Sequence, residues 1–271
     1  MNTIKDIDSS RRFGGVDRLY GEAGAARLRA LHAVVVGVGG VGSWAAEALA
    51  RCAVGRITLI DLDHIAESNT NRQIHALGDE FGKAKVQAMA ERIRAINPDC
   101  QVDTIEEFID ADNVAAVLPA ADLVLDCIDQ VTAKAALIAC CQSRGVAVIT
   151  SGAGGGRIDP TRIAVGDLAR IQGDPLLAKL RHKLRREYGY PREDARGRVP
   201  KFGVLAVYSD EPVRRPQASC GVDGFVAGLA CAGYGSSVVV TASLGLAMVA
   251  AAIDAALAVA PTPAEPVAGP A

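Results

Sequence analysis

Aromatic side chains are scarce. The 271-residue sequence holds five Phe, five Tyr and one Trp, 4% of the chain, too few for base stacking to be its main way of binding nucleic acid. An excess of one charge is also missing. The 29 Lys and Arg nearly balance the 31 Asp and Glu, for a net charge of −2, so the chain as a whole advertises no polyanionic partner. The seven cysteines form no C-x-x-C pair, which removes the usual spacing of a structural zinc site. An odd number of cysteines in a chain this long fits the reducing cytoplasm better than a disulfide framework. The first residues are polar and charged, so no secretory leader is expected. Half of the residues are apolar, enough for a sizeable core in one large domain or two small ones.

One stretch, residues 34–85, organises the rest. It opens VVVGVGGVGSWAAEALA: an apolar run, glycines, then an amphipathic run, which reads as strand, tight turn and helix. Gly37, Gly39 and Gly42, with Gly40 besides, give the G-x-G-x-x-G spacing. Such a turn lets a phosphate approach the main chain, and the helix behind it offers free N–H groups and a positive dipole end. A second strand over residues 56–60 ends at Asp61, where a ribose hydroxyl is normally bound. To this point the pattern fits NAD as well as ATP. Asp63, Asn69, Arg72 and Gln73 then crowd the following loop, and Lys85 opens the next helix. Arg, Lys and Asn aimed at one place suit a triphosphate whose charge must be neutralised during reaction.

Beyond this stretch, strands (residues 101–105, 122–126, 146–150 and 162–165) alternate with helices (43–53, 87–96, 112–118 and 133–144). Residues 1–10 read as a loose leader, with a short helix-prone run ending near residue 31. The alternation predicts an α/β fold, a Rossmann-like, mostly parallel sheet with helices on both faces. The expected layout is a leader and helix over 1–30 and an ATP-binding domain over 31–170. A C-terminal extension over 171–260, with strands and a long apolar helix, and a disordered tail over 261–271 follow. Asp61, Asp126 and Asp129 fall at strand ends, on the edge where ligands bind. Asp129 can cap the next helix or hold a magnesium ion beside a triphosphate. After a glycine-rich bend carrying Arg157, residues 174–201 hold nine Lys and Arg against four acids. That local, one-signed excess suits a phosphate backbone, although a solvated helix face would also account for it. Residues 225–253 contain no charge and are long enough to span a bilayer. Their glycines, and Asp254 directly after, favour instead a loop and then a buried helix over about 237–258, with no membrane insertion.

The order GVGGVGS, DLD, SNTNRQ and GKAK resembles the ubiquitin-activating-like adenylation superfamily, which includes the sulfur-carrier adenylyltransferases of molybdopterin and thiamine synthesis. VDRLYG, SWAAEALA, RAINP, GRIDPTRIAVGDLAR and DPLLAKLR resemble its tRNA threonylcarbamoyladenosine dehydratase branch over residues 11–258. That resemblance implies ATP and Mg2+ as cofactors, tRNA carrying threonylcarbamoyladenosine as substrate, and a homodimer. It implies that Arg72 and Lys85 stabilise phosphate charge and that Asp129 holds the metal. The superfamily usually has Asn where this chain has Gln130. Arg12, before Phe13, matches an arginine that reaches the partner subunit's nucleotide, though Arg11 and Arg12 together would ordinarily be a solvated basic pair. Cys231 lies in a glycine-rich loop; members that pass an activated acyl group onward often use a cysteine, so a cysteine desulfurase is a further partner to consider, although a free cysteine is ordinarily a small buried apolar residue. The alternative function is a sulfur-carrier adenylyltransferase or sulfur-relay partner, against which the missing C-x-x-C pairs count. A hydride-transferring enzyme would need a catalytic acid, and none of His32, His64, His75 and His182 stands in a recognisable setting.

Overall fold

In a computed structural model, residues 8–214 and 234–258 are described. Seven strands form one sheet: β1 (His32–Val36), β2 (Arg56–Ile60), β3 (Gln101–Ile105), β4 (Leu123–Asp126), β5 (Ala147–Ser151), β6 (Ile163–Asp167) and β7 (Leu205–Ser209). Their order is β3-β2-β1-β4-β5-β7-β6. Every pairing is parallel except that of β6 with β7. The central strands HAVVV and LVLD are apolar almost throughout because both of their faces are covered. The order reverses between β1 and β4, which opens a crevice at their carboxyl ends.

The helices are α1 (Ser9–Ala30), α2 (Gly42–Arg51), α3 (Lys85–Ile96), α4 (Val114–Val117), α5 (Val131–Ser143), α6 (Pro175–Glu187) and α7 (Val238–Ala258). One core joins α2, α3 and α7 to one sheet face, through Leu49, Met89, Leu244 and Met248 among others. A second core joins α5 and α6 to the opposite face, through Leu137, Leu180 and Leu184.

Residues 1–7 of the expected loose leader lie outside the described residues, and its last residues are already helical. Helix begins at Ser9, because the Asp8 carboxylate accepts from Arg11 N and caps the first turn. It kinks at Gly21, whose φ of 72° breaks the helical run. β7 lies within the expected 171–260 extension and joins the same sheet as β1–β5. The part of the apolar C-terminal run before residue 234 lies outside the described residues. From Val238 the run forms α7, which has a mean hydropathy of 2.0. Val240, Leu244, Met248 and Ile253 on one side of it are buried against the fold. At Gly245 an added Cβ would stand 2.5 Å from Val41 O, so only glycine lets α7 lie this close to α2. The expected tail 261–271 lies outside the described residues.

Candidate active site

The crevice is a cleft of about 620 Å³. Gly37, Gly39, Gly40, Asp61, Asp63, Asn69, Arg72, Lys85 and Asp129, singled out in the sequence, all line it. Gly42 sits just beneath, at the first turn of α2. Two glycines are sterically required. Gly37 has φ 86°, and a Cβ there would stand 3.0 Å from the Cys127 carbonyl carbon and oxygen. A Cβ on Gly42 would be 1.8 Å from Gly37 O. The tight loop delivers the N-terminus of α2 to the cleft, a site suited to phosphate.

Asp61 holds that loop in place. Its Oδ2 accepts from Val38 N at 2.6 Å and its Oδ1 from Asp63 N at 2.8 Å. Burial pushes its pKa up, and the nearby charge of Lys85 opposes that rise. Lys85 lies at the start of α3 with its side chain 7% exposed, and its Nζ meets Asp63 Oδ2 at 2.6 Å. Arg72 lays its aliphatic stem against Gly40. Its Nη1 donates to Ser68 O at 2.7 Å and Asn71 Oδ1 at 3.0 Å. Trp44 Nε1 pins the Arg72 carbonyl at 3.0 Å. Asn69 is buried, and its Oδ1 accepts from Ala66 N. Two cations and a helix N-terminus therefore converge on the glycine loop.

The three acids of the strand edge separate. Asp126 is fully buried, paired with Lys134 Nζ at 3.0 Å and accepting from Thr150 Oγ1 at 2.6 Å. That carboxylate is structural. Asp129 is exposed on the cleft wall. It does not cap α5: the N-cap residue is Gln130, with no side-chain cap bond. Among the described residues no three metal-ligating side chains cluster. A lone carboxylate fits an ion that draws its other ligands from phosphate and water.

Arg12 does not join the others within this chain. Its Nη1 donates to Ala95 O and Ile96 O at the C-terminus of α3. Arg157 pairs with the carboxylate of Asp174, the N-cap of α6; both are buried and neither lines the cleft. Cys231 lies outside the described residues. Sequence reasoning missed Lys134, a charge inside the apolar run VTAKAALIACC. It also missed the wall formed by Glu107, Phe108 and Asp110, and Thr241 from α7.

His75 has no role legible in the sequence, and the fold gives it a pH signature. It is 2% exposed, and neither ring nitrogen has a partner among the described residues. Burial, then the charges of Lys85 and Arg92, pushes its pKa down to about 4. In the unfolded chain it titrates near the ordinary histidine value of 6.5. Between those values the unfolded chain binds the extra proton, so stability is full above pH 6.5 and falls as the pH drops towards 4. The loss from this group approaches about 3 kcal/mol. Thermal melts from pH 7 to pH 4.5 are expected to fall more steeply for the wild type than for His75→Leu; parallel curves would contradict the assignment.

The basic segment forms the exposed side of α6 and the loop after it, while Leu176, Leu177, Leu180 and Leu184 face the core. Glu187 pairs with Lys183 and Arg186, and Asp194 with Arg198. No ion pair involves Lys179, Arg181, Arg185, Arg192, Arg196 or Lys201 among the described residues, so the positive excess survives folding.

Sheet, switch point and charged glycine-loop cleft define a doubly wound nucleotide-binding protein. The chain belongs to the ThiF family, whose model matches residues 14–267. It is 47% identical over 251 residues to the tRNA threonylcarbamoyladenosine dehydratase of Escherichia coli K12, covering 90% of this chain and 92% of that one. It is 43% identical over 256 residues to the protein of the same name from Haemophilus influenzae, covering 94% and 97%. The crystal structure of the Escherichia coli enzyme in complex with ATP superposes with a TM-score of 0.82 at 45% identity, over 92% of this chain and 95% of that one.

Proposed function

We propose that the chain carries out the ATP-dependent dehydration of threonylcarbamoyladenosine in tRNA through a carboxyl adenylate. The observation that carries this reading is the convergence of Lys85 and Arg72 with the glycine loop on one cleft, in a chain 47% identical over most of its length to an enzyme named for that reaction. In this chemistry the threonyl carboxylate attacks the α-phosphorus of ATP and pyrophosphate leaves. Attack on the acyl adenylate from within the same side chain closes the ring and releases AMP, which carries away one carboxylate oxygen. Lys85 and Arg72 offset the negative charge that builds on the phosphates. Asp129 would hold Mg2+, which when bound adds further charge neutralisation there. Ring closure is intramolecular and gains from high effective molarity, so no enzyme nucleophile is required. The test is AMP formation dependent on modified tRNA. Dependence on a small protein ending in Gly-Gly would support the sulfur-carrier alternative instead, which nothing in the site favours.

In this reading the protein acts in the cytoplasm as a homodimer. The exposed Val239 and Leu246 on α7 support an apolar contact between subunits. Arg12, whose Nη1 donates to Ala95 O and Ile96 O rather than entering its own cleft, would serve the partner's nucleotide. A monomer by sedimentation would count against both assignments.

Two further outcomes are expected. Reversing Arg185 and Arg186 to Glu should weaken tRNA binding at least tenfold. It should also flatten the salt dependence, by roughly one unit of slope for each phosphate no longer neutralised. An unchanged slope would reduce the basic segment to a solvated face. Cys231→Ser should retain most ATP-dependent cyclisation in single turnover, because the reaction supplies its own nucleophile. A loss of several orders of magnitude with ATP binding intact would point to a covalent acyl-enzyme. With cyclisation retained, any sulfur loading of Cys231 by a cysteine desulfurase is a separate activity.

A further inference from the structure

Away from the glycine-loop cleft there is a second cavity, of about 510 Å³, lined by Arg170, Arg181, Arg185 and Arg198, with Glu193 and Gln172. The four guanidiniums come from three places: the turn after β6, helix α6, and the loop that follows it. Two of them are fixed through Nε alone. Arg170 Nε donates to Val199 O at 3.2 Å, and Arg185 Nε donates to Pro191 O at 3.1 Å. Arg185 also stacks its Cζ 5.3 Å above the Phe202 ring. An arginine anchored through Nε keeps its two Nη groups as a fork that matches the oxygens of a phosphate. Arg198 is held by Asp194. Arg181 has no such anchor among the described residues, where its Nη1 is buried without a partner.

Like charges gathered around one cavity repel each other, and Arg181 bears the consequence. Burial first, and then Arg185, push the pKa of its guanidinium down. Glu193 forms no ion pair with the four arginines among the described residues. A half-buried, unpartnered guanidinium beside another does nothing for the folded chain by itself; it becomes satisfied when an anion enters. The helix also ties this cavity to the site. Leu176, in the first turn of α6, lines the glycine-loop cleft. At a rise of 1.5 Å per residue, positions 181 and 185 lie about 8 and 14 Å further along the same axis.

We propose that this arginine pocket binds a backbone phosphate of the tRNA, close to the nucleotide that enters the cleft, and that Arg181 is its central ligand. The proposal rests on the tRNA reading above and adds a defined contact point to it. The pocket fixes where the RNA strand crosses α6, and so which nucleotide reaches the cleft.

Arg181→Met and Arg170→Gln separate a binding role from a structural one. Both are measured by anisotropy of labelled tRNA across a salt series, and by thermal melting. For Arg181→Met we expect tRNA affinity to fall five- to tenfold, the salt slope to drop by about one unit, and the melting temperature to stay level or rise. Arg181→Lys should recover part of the affinity. Arg170→Gln should weaken binding less, with an unchanged melt. Affinity and slope unchanged in both variants would overturn the proposal, as would a lowered melting temperature in Arg181→Met with affinity intact. Equilibrium dialysis with labelled inorganic phosphate distinguishes a free anion from RNA. If the variants lose phosphate binding but hold tRNA as before, the nucleic-acid assignment falls. ATP-to-AMP turnover is scored separately. A wild-type protein that binds tRNA through this pocket but forms no AMP would refute the proposed reaction and leave the pocket standing.

Discussion

Lys85→Ala is expected to lower tRNA-dependent AMP formation by two to three orders of magnitude and to leave the protein folded. The Lys85 side chain is 7% exposed, at the edge of the cleft, and meets Asp63 at 2.6 Å. A fixed cation in so dry a position stabilises charge that develops on phosphate far better than the same ion in water. Removing one such preorganised group from a reacting centre commonly costs about 10²–10³ in kcat. The fold loses little, because Asp63 is 52% exposed and water can take over its oxygen. Arg72→Ala is expected to have a comparable effect, and the two losses should not add if both cations act on the same charge. Pyrophosphate exchange, AMP release and a thermal melt on the same preparation decide the matter. A folded Lys85→Ala protein that releases AMP normally would remove Lys85 from the chemistry.

The largest expected effect on stability comes from Lys134→Met. Lys134 and Asp126 are both fully buried. The lysine Nζ also donates to Ile128 O at 2.9 Å, in the segment that carries Asp129. Taking away the lysine strands a carboxylate in the core with only Thr150 and Ile128 N for company. Breaking one side of such a pair costs about 3–5 kcal/mol, or roughly 6–20 °C in melting temperature for a chain of this size. Asp126→Asn combined with Lys134→Met removes both charges together and should recover a good part of that loss. The double variant melting no higher than Lys134→Met alone would contradict this account. A single variant that melts within a degree of wild type would show that the pair contributes nothing.

The strands of the ATP-binding half were legible because their apolar runs are short, bounded by glycine or charge, and spaced by helices. The glycine loop was legible because sterics leave no substitute for Gly37 or Gly42. Local pattern could not separate Asp126 from Asp129: both follow an apolar run, and what distinguishes them is Lys134, eight residues on and one helical turn into α5. Nor could it place β7, whose five residues follow a long charged loop and pair between β5 and β6. Arg12 and Arg181 mark a different limit. Residue type marks both as cations, but only three-dimensional surroundings show one bonded to helix carbonyls of its own chain and the other without a partner among the described residues.

The lodging of α7 against the glycine loop carries a consequence for how the protein is made. Thr241 lines the cleft, and Gly245 sits against Val41 O, yet both follow Gly39 by about 200 residues. At about 5–20 residues per second, a ribosome needs roughly 10–40 s to travel from the loop to the helix that seats it. During that interval the nascent chain holds the glycines, Asp61 and Lys85 but lacks the wall behind them. Until α7 has been made, the nascent chain lacks the Thr241 side of the cleft and the backing that Gly245 gives Val41, so the glycine loop precedes its own support by that interval.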